Sequence, residues 1–208
     1  YNKITGSGKI IDRYDELLVF KPELMPKTNI KIKKIPPLNI KDVNFKTIIN
    51  YIFGYKKWII TEKIVFFEQP YNSTNLYNEI KKIADEILFE NYIVKLHPRS
   101  KKDNYRYFNI YENNNIPWEI ICLNNDIESK ILISFYSTAT ITNKILFNKE
   151  PILIFLFNLP HLKEIHPLND DTIKFITEFK KTYKDPNRIL IPDSIDSLKI
   201  SLETLLND

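Results

Sequence analysis

The sequence predicts an α/β fold: a doubly wound, Rossmann-like parallel sheet over residues 61–208, preceded by a region, 1–60, that ends an earlier domain and connects to it. Three observations predict it. From residue 62 onward, short runs rich in Ile, Val and Leu alternate with longer segments of helical period. The short runs are apolar nearly throughout, as expected of strands with helices on both faces. Ser, Asn and Asp stand at the starts of the helical segments, where side-chain oxygens satisfy free backbone amides. Right-handed crossovers then make the strands parallel.

In the first region, "YNKITGSGKII" reads as a hairpin-like opening and "ELLVF" as a strand. "KPELMPKTNIKIKKIPPLNI" reads as a proline-punctuated connector and "KDVNFKTIINYIFGY" as a helix. The region holds no complete sheet of its own, and a chain opening at Tyr1 in mid-pattern reads as a fragment or a processed product.

In the second region, "KIVFF" is a strand and "NSTNLYNEIKKIADEILF" a capped helix. "YIVKL" is a strand that stops at a His-Pro pair, because Pro98 cannot continue a sheet ladder. The Asn-rich "YENNNIPWE" is a loop, "WEIICL" a third strand, and "ILISFY" a fourth that runs into the helix "STATITNKILF". "PILIFLF" is an interior strand, "NDDTIKFITEFKKTY" a helix with acids in its first turn, "RILIP" a strand and "PDSIDSLKISLETLL" a last helix. No internal repeat or low-complexity tract interrupts this order.

A formal charge of +4, with Lys and Glu interspersed, does not indicate a nucleic-acid binder. The pI near 8.9 permits anionic ligands or a membrane surface. The single cysteine, Cys122, precludes an internal disulfide and reads as a buried core thiol. The longest apolar stretch, "PILIFLFNLP", is roughly half the length that spans a bilayer. No signal peptide or transmembrane segment is evident. High Ile, Lys and Asn content without an export signal suggests a bacterial cytoplasmic protein, loosely attached to the inner membrane. The apolar aromatic content leaves room for a homodimer.

In a doubly wound sheet, ligands bind beyond the carboxyl ends of the strands. Glu68, Gln69 and Pro70 follow the first strand; Lys95, His97, Pro98 and Arg99 end the second. Glu119 opens the third strand or ends the loop before it, with Trp118 before it as core or as a stacking surface. Ser137 and Thr138 follow the fourth strand at a helix start, where amides, macrodipole and hydroxyls suit a phosphate and where the same side chains also serve as caps. A second His-Pro pair, His166 and Pro167, follows the loop-like "NLPHLKE" rather than a strand and acts as an internal control.

The order Lys-x-His-Pro, glutamate, Ser-Thr resembles the nucleotide-sugar half of bacterial sialyltransferases, in particular glycosyltransferase family 52, the lipooligosaccharide sialyltransferases. "ELLVFKPELMP", "IINYIFGY", "VFFEQPY", "VKLHPR", "IPWEI" and "SFYSTAT" extend the resemblance over nearly the whole chain. It implies the carboxy-terminal, CMP-binding part of a GT-B enzyme that transfers sialic acid from CMP-sialic acid to a terminal galactose of a bacterial surface glycan, with inversion and without metal or cofactor. His97 would assist departure of the CMP phosphate as a general acid. Lys95 and Glu119 would hold ribose and base, and Ser137 and Thr138 the phosphate.

Departure of CMP leaves an anion, so donors fixed at the phosphate suit the chemistry. The acid-acid-glycine tripeptide of related enzymes is absent: Gly6 follows Thr5, Gly8 follows Ser7 and Gly54 follows Phe53. The catalytic base is therefore expected in an amino-terminal half or at Glu68. Rival readings are another CMP-linked donor, a polysialic-acid extension reaction, and a nucleotide-binding module without catalysis.

Overall fold

The computed structural model describes residues 14–207 except 57, 71–72, 89–90, 101–107 and 112–114. The expected hairpin-like opening and part of the Asn-rich loop lie outside the described residues.

Strand β1 (Glu16–Val19) pairs in parallel with β2 (Lys31–Lys34), with a 3-10 turn at Pro22–Leu24 between them. The connector thus supplies a strand where the sequence suggested none, and the first region has a small sheet of its own. Helix α1 (Val43–Ile52) starts on Asp42, whose side chain accepts the Phe45 amide at 3.0 Å. Phe45 and Ile49 pack against the main core.

There follow β3 (Ile64–Phe67), α2 (Thr74–Ile87), β4 (Tyr92–Lys95), α3 (Trp118–Asn124), β5 (Ile131–Ser134), α4 (Thr138–Phe147) and β6 (Ile152–Phe155). A 3-10 turn at Leu156–Asn158, α5 (Pro160–Ile165), α6 (Asp170–Lys181), a further 3-10 turn at Pro186–Arg188, β7 (Ile189–Leu190) and α7 (Ile195–Asn207) follow in the described residues. The main sheet runs β4-β3-β5-β6-β7 with every pair parallel. This is the Rossmann-like α/β architecture the apolar strands predict, and β3 and β5 are buried at every position.

Right-handed crossovers send α2 and α4 to opposite faces. On one face α5 packs on α2, and Lys199 of α7 pairs with Glu86 of α2 at 3.0 Å. Leu76, Ile80, Ile83, Ala84 and Ile87 form the buried stripe of α2, and burial of each large aliphatic side chain is worth about 1.5–3 kcal/mol. On the other face α3 packs against α1 and α4. Asn50 and Asn124 exchange side-chain hydrogen bonds of 2.9 and 2.7 Å there.

"WEIICL" is a helix, not the third strand, and Glu119 consequently lies in the first turn of α3 instead of opening a strand. A short apolar run buried all round carries no period that separates the two states. Its environment decides. Pro117, at φ −55°, precedes the first turn, and Glu119 complements the positive end of the helix. At the other end Lys149 Nζ donates to the Cys122 and Asn125 carbonyls, each at 3.0 Å, which satisfies acceptors a helix end leaves open. The sheet position beside β3 is taken by β5. Cys122 is fully buried within α3, and burial pushes its thiol pKa up.

Candidate functional site

The chain leaves β3 toward β4 on one side and returns to β5 on the other, so the carboxyl ends of β3 and β5 flank a topological switch point. Register aligns Phe67 with both Lys95 and Ser134, so three strands end at one level. The Glu68 amide donates to the Lys95 carbonyl at 3.1 Å and prolongs the ladder by one step.

Glu68 is buried, and its Oε2 accepts the His97 amide at 2.9 Å and a short bond from the Ser100 hydroxyl. The Ser100 amide donates to the His97 carbonyl at 2.9 Å, closing a turn with Pro98 in its second position, where a fixed φ is favourable. The Arg99 amide donates to His97 Nδ1 at 3.1 Å. A neutral imidazole that accepts at Nδ1 carries its proton on Nε2. Burial, then the charges of Arg99 and Lys95, lower the His97 pKa below its ordinary value. Burial raises that of Glu68, opposed by the bonds from Ser100 and His97.

Gln69 grips the next loop. Its Nε2 donates to the Tyr136 carbonyl at 2.5 Å, and its Oε1 accepts the Tyr136 amide at 3.0 Å. The Ser137 amide donates to Ser134 Oγ at 3.2 Å, so the turn entering α4 is held at adjacent residues. Ser137 is the N-cap of α4: its Oγ accepts the Ala139 amide at 3.3 Å, and its carbonyl accepts Thr140 Oγ1 at 2.7 Å. Thr138 and Pro70 are exposed on the same rim.

Lys95 is buried at the end of β4; its Nζ donates to the Leu96 carbonyl at 3.3 Å and stands 5.7 Å from the centroid of the Tyr111 ring. Burial lowers its pKa to about 8, and the Glu119 carboxylate opposes that shift. Lys95 and Glu119 are thus electrostatic neighbours although strand and helix place them differently than the sequence suggested. Trp118 is core: it meets Phe67 edge-on, with centroids 4.7 Å apart.

The structure brings Glu68, His97 and Ser100 into one cluster and Gln69, Tyr136 and Ser137 into another, joined through adjacent residues of β3's exit. Ser100, Ser134 and Tyr136 escaped the sequence reading. Ser134 had a signal, as the polar residue closing an otherwise apolar strand. The control pair behaves unexpectedly: His166 follows α5, a helix where a loop was expected, and its ring centroid lies 5.7 Å from that of Phe135, in the exit of β5. The second His-Pro pair therefore approaches the same rim. Among the described residues, no group of three or more His, Cys, Asp or Glu converges as a metal site would.

An open parallel sheet whose switch point carries a helix N-terminus, a buried lysine and a histidine that keeps its proton on Nε2 defines an α/β domain chemically suited to an anionic ligand. The model of one family, alpha-2,8-polysialyltransferase (POLYST), matches residues 13–155, well over half of the chain and inclusive of every candidate site residue. The chain belongs to that family of sialyltransferases, which are glycosyltransferases. No curated protein gives a significant match.

Proposed function

We propose that this chain uses CMP-sialic acid as donor and adds sialic acid in α-2,8 linkage to a glycan that already ends in sialic acid. The polysialyltransferase match supports that acceptor over the terminal galactose suggested by the resemblance to family 52. The observation that carries the reading is the double grip of Glu68 and Gln69, which holds the His97 turn and the Ser137 turn on either side of the switch point.

The CMP phosphate sits against the first turn of α4, within reach of the Ser137 and Thr138 hydroxyls. Lys95 and Glu119 face the nucleoside. As the bond from C2 of sialic acid to the phosphate oxygen breaks, the His97 Nε2–H hydrogen-bonds the developing charge, and the acceptor oxygen forms its bond to C2 from the opposite side while its proton passes to solvent water. Glu68, buried and bonded to the His97 turn, is assigned as a positioning residue and not as the base that takes the acceptor proton. The hydrogen bond from the His97 Nε2–H and the helix-end donors supply the charge stabilisation in this scheme, which calls for no metal or cofactor.

Calorimetric titration with CMP, UMP and GMP tests the donor half: the expected result is selective CMP binding, weakened in Ser137→Ala and His97→Ala. Transfer assays with oligosialic and galactose-terminated acceptors test the other half. Equal binding of the three nucleotides would overturn the reading, and transfer to galactose alone would return the acceptor to the lipooligosaccharide type.

A further inference from the structure

The outward face of α1 is unlike a solvated helix surface. Phe45 and Ile49 turn to the core, and the exposed arc consists of Val43, Asn44, Thr47, Ile48, Tyr51 and Ile52, without a single charge. Tyr51 is 88 % exposed, Val43 72 % and Ile52 64 %, and Phe53 and Ile59 continue the apolar exposure beyond the helix. An outward helix face is ordinarily polar, and an apolar patch of this kind marks an interaction surface.

Charge indicates what the surface meets. Residues 27–59 hold eight lysines and one acid, Asp42, a net +7 in a chain whose total is +4, so the remainder is net −3. Asp42 is engaged as the α1 cap. Lys41 and Lys56 stand exposed at the two ends of the helix, and Lys33 is the register partner of Leu18, itself 60 % exposed.

We propose that α1 and its lysine-bearing flanks form a docking surface for an anionic lipid bilayer, with the helix in the plane of the interface. At 10 residues α1 is too short to cross, and among the described residues no helix is long and apolar enough to do so. Ile48 and Ile52 enter the acyl boundary, Tyr51 sits at headgroup depth, and the lysine stems extend their ammonium groups to lipid phosphates. A second copy is disfavoured because a twofold contact would bring two strongly basic segments together. Neither nucleotide nor any residue of the switch-point site enters this inference, so it stands apart from the transferase reading.

The test is sedimentation of the whole chain with vesicles of phosphatidylglycerol and phosphatidylethanolamine against vesicles of phosphatidylcholine. The expected result is binding to the anionic vesicles about tenfold or more tighter, declining as salt is raised. Ile48→Ser, Tyr51→Ser and Ile52→Ser combined lower it about tenfold or more with the circular dichroism spectrum and thermal midpoint unchanged. Lys41→Glu with Lys56→Glu removes the preference for anionic lipid. Absence of vesicle binding, or equal binding to both compositions, would overturn the inference. So would a dimer dissolved by Tyr51→Ser, which would assign the face to a second copy. CMP titration of the same samples reports separately on the transferase site.

Discussion

The Gln69 side chain brackets the Tyr136 peptide group, donating to its carbonyl at 2.5 Å and accepting its amide at 3.0 Å. One residue earlier, Glu68 accepts the His97 amide. Two loops from different strands are therefore set by consecutive side chains of a third, and the spacing of the proposed phosphate seat and the His97 hydrogen-bond donor depends on that pair.

Gln69→Ala is expected to cost about 1–3 kcal/mol of stability, the net worth of two hydrogen bonds plus the exposed peptide. It should weaken CMP binding about tenfold. Gln69→Glu keeps the acceptor but faces a carbonyl with a carboxylate, and should bind CMP no better than the alanine variant. Denaturant unfolding and calorimetry measure both effects.

Glu68 gives a pH-dependent signal. Its folded pKa is raised above the ordinary carboxylate value, so its contribution is fully present at low pH and is lost as pH rises through the folded pKa. Glu68→Gln should flatten the stability profile over that range, whereas Glu68→Ala leaves the His97 amide unpaired and should cost about 1–3 kcal/mol. Denaturation of the three proteins between pH 4 and 8 distinguishes them.

Lys95 and His97 titrate in the same sense with respect to stability, over different pH ranges. Lys95 releases its proton near 8 in the folded chain against 10.5 as the ordinary value, so stability should rise with pH between those limits, and Lys95→Met should abolish the rise. His97 has a lowered pKa, so stability should fall as pH drops below its ordinary value of 6.5. A bound CMP phosphate should raise the His97 pKa, measurable by NMR titration of the imidazole with and without CMP.

Ser137 and Thr138 separate capping from binding. Ser137→Ala should cost about 1 kcal/mol of stability as a lost N-cap, together with CMP affinity. Thr138→Val, at an exposed position, should leave the unfolding midpoint within error and still weaken CMP binding. Equal CMP affinity in Thr138→Val and the unaltered chain would limit the phosphate seat to Ser137 and the backbone amides.

The sequence by itself determined where the strands of the main sheet end and where α2, α4 and α6 begin. Apolar runs of four residues, the stop at Pro98, and caps such as Ser73, Ser137 and Asn169 act within a few residues of themselves, so period and composition suffice to read them. His97 at a strand end and Ser137 at a helix start were legible for the same reason. What joins them was not. Glu68 reaches a partner 29 residues away and Gln69 one 67 residues away, and which partners they meet depends on β5 having returned to the opposite side of β3. The state of "WEIICL" was decided in the same way, by Lys149 at one end of α3 and a sheet edge already taken by β5. The approach of His166 to Phe135 likewise follows from a helix the sequence read as a loop. Local propensity is a sum over neighbours along the chain, whereas hydrogen-bond partners and burial are settled only when distant segments pack together.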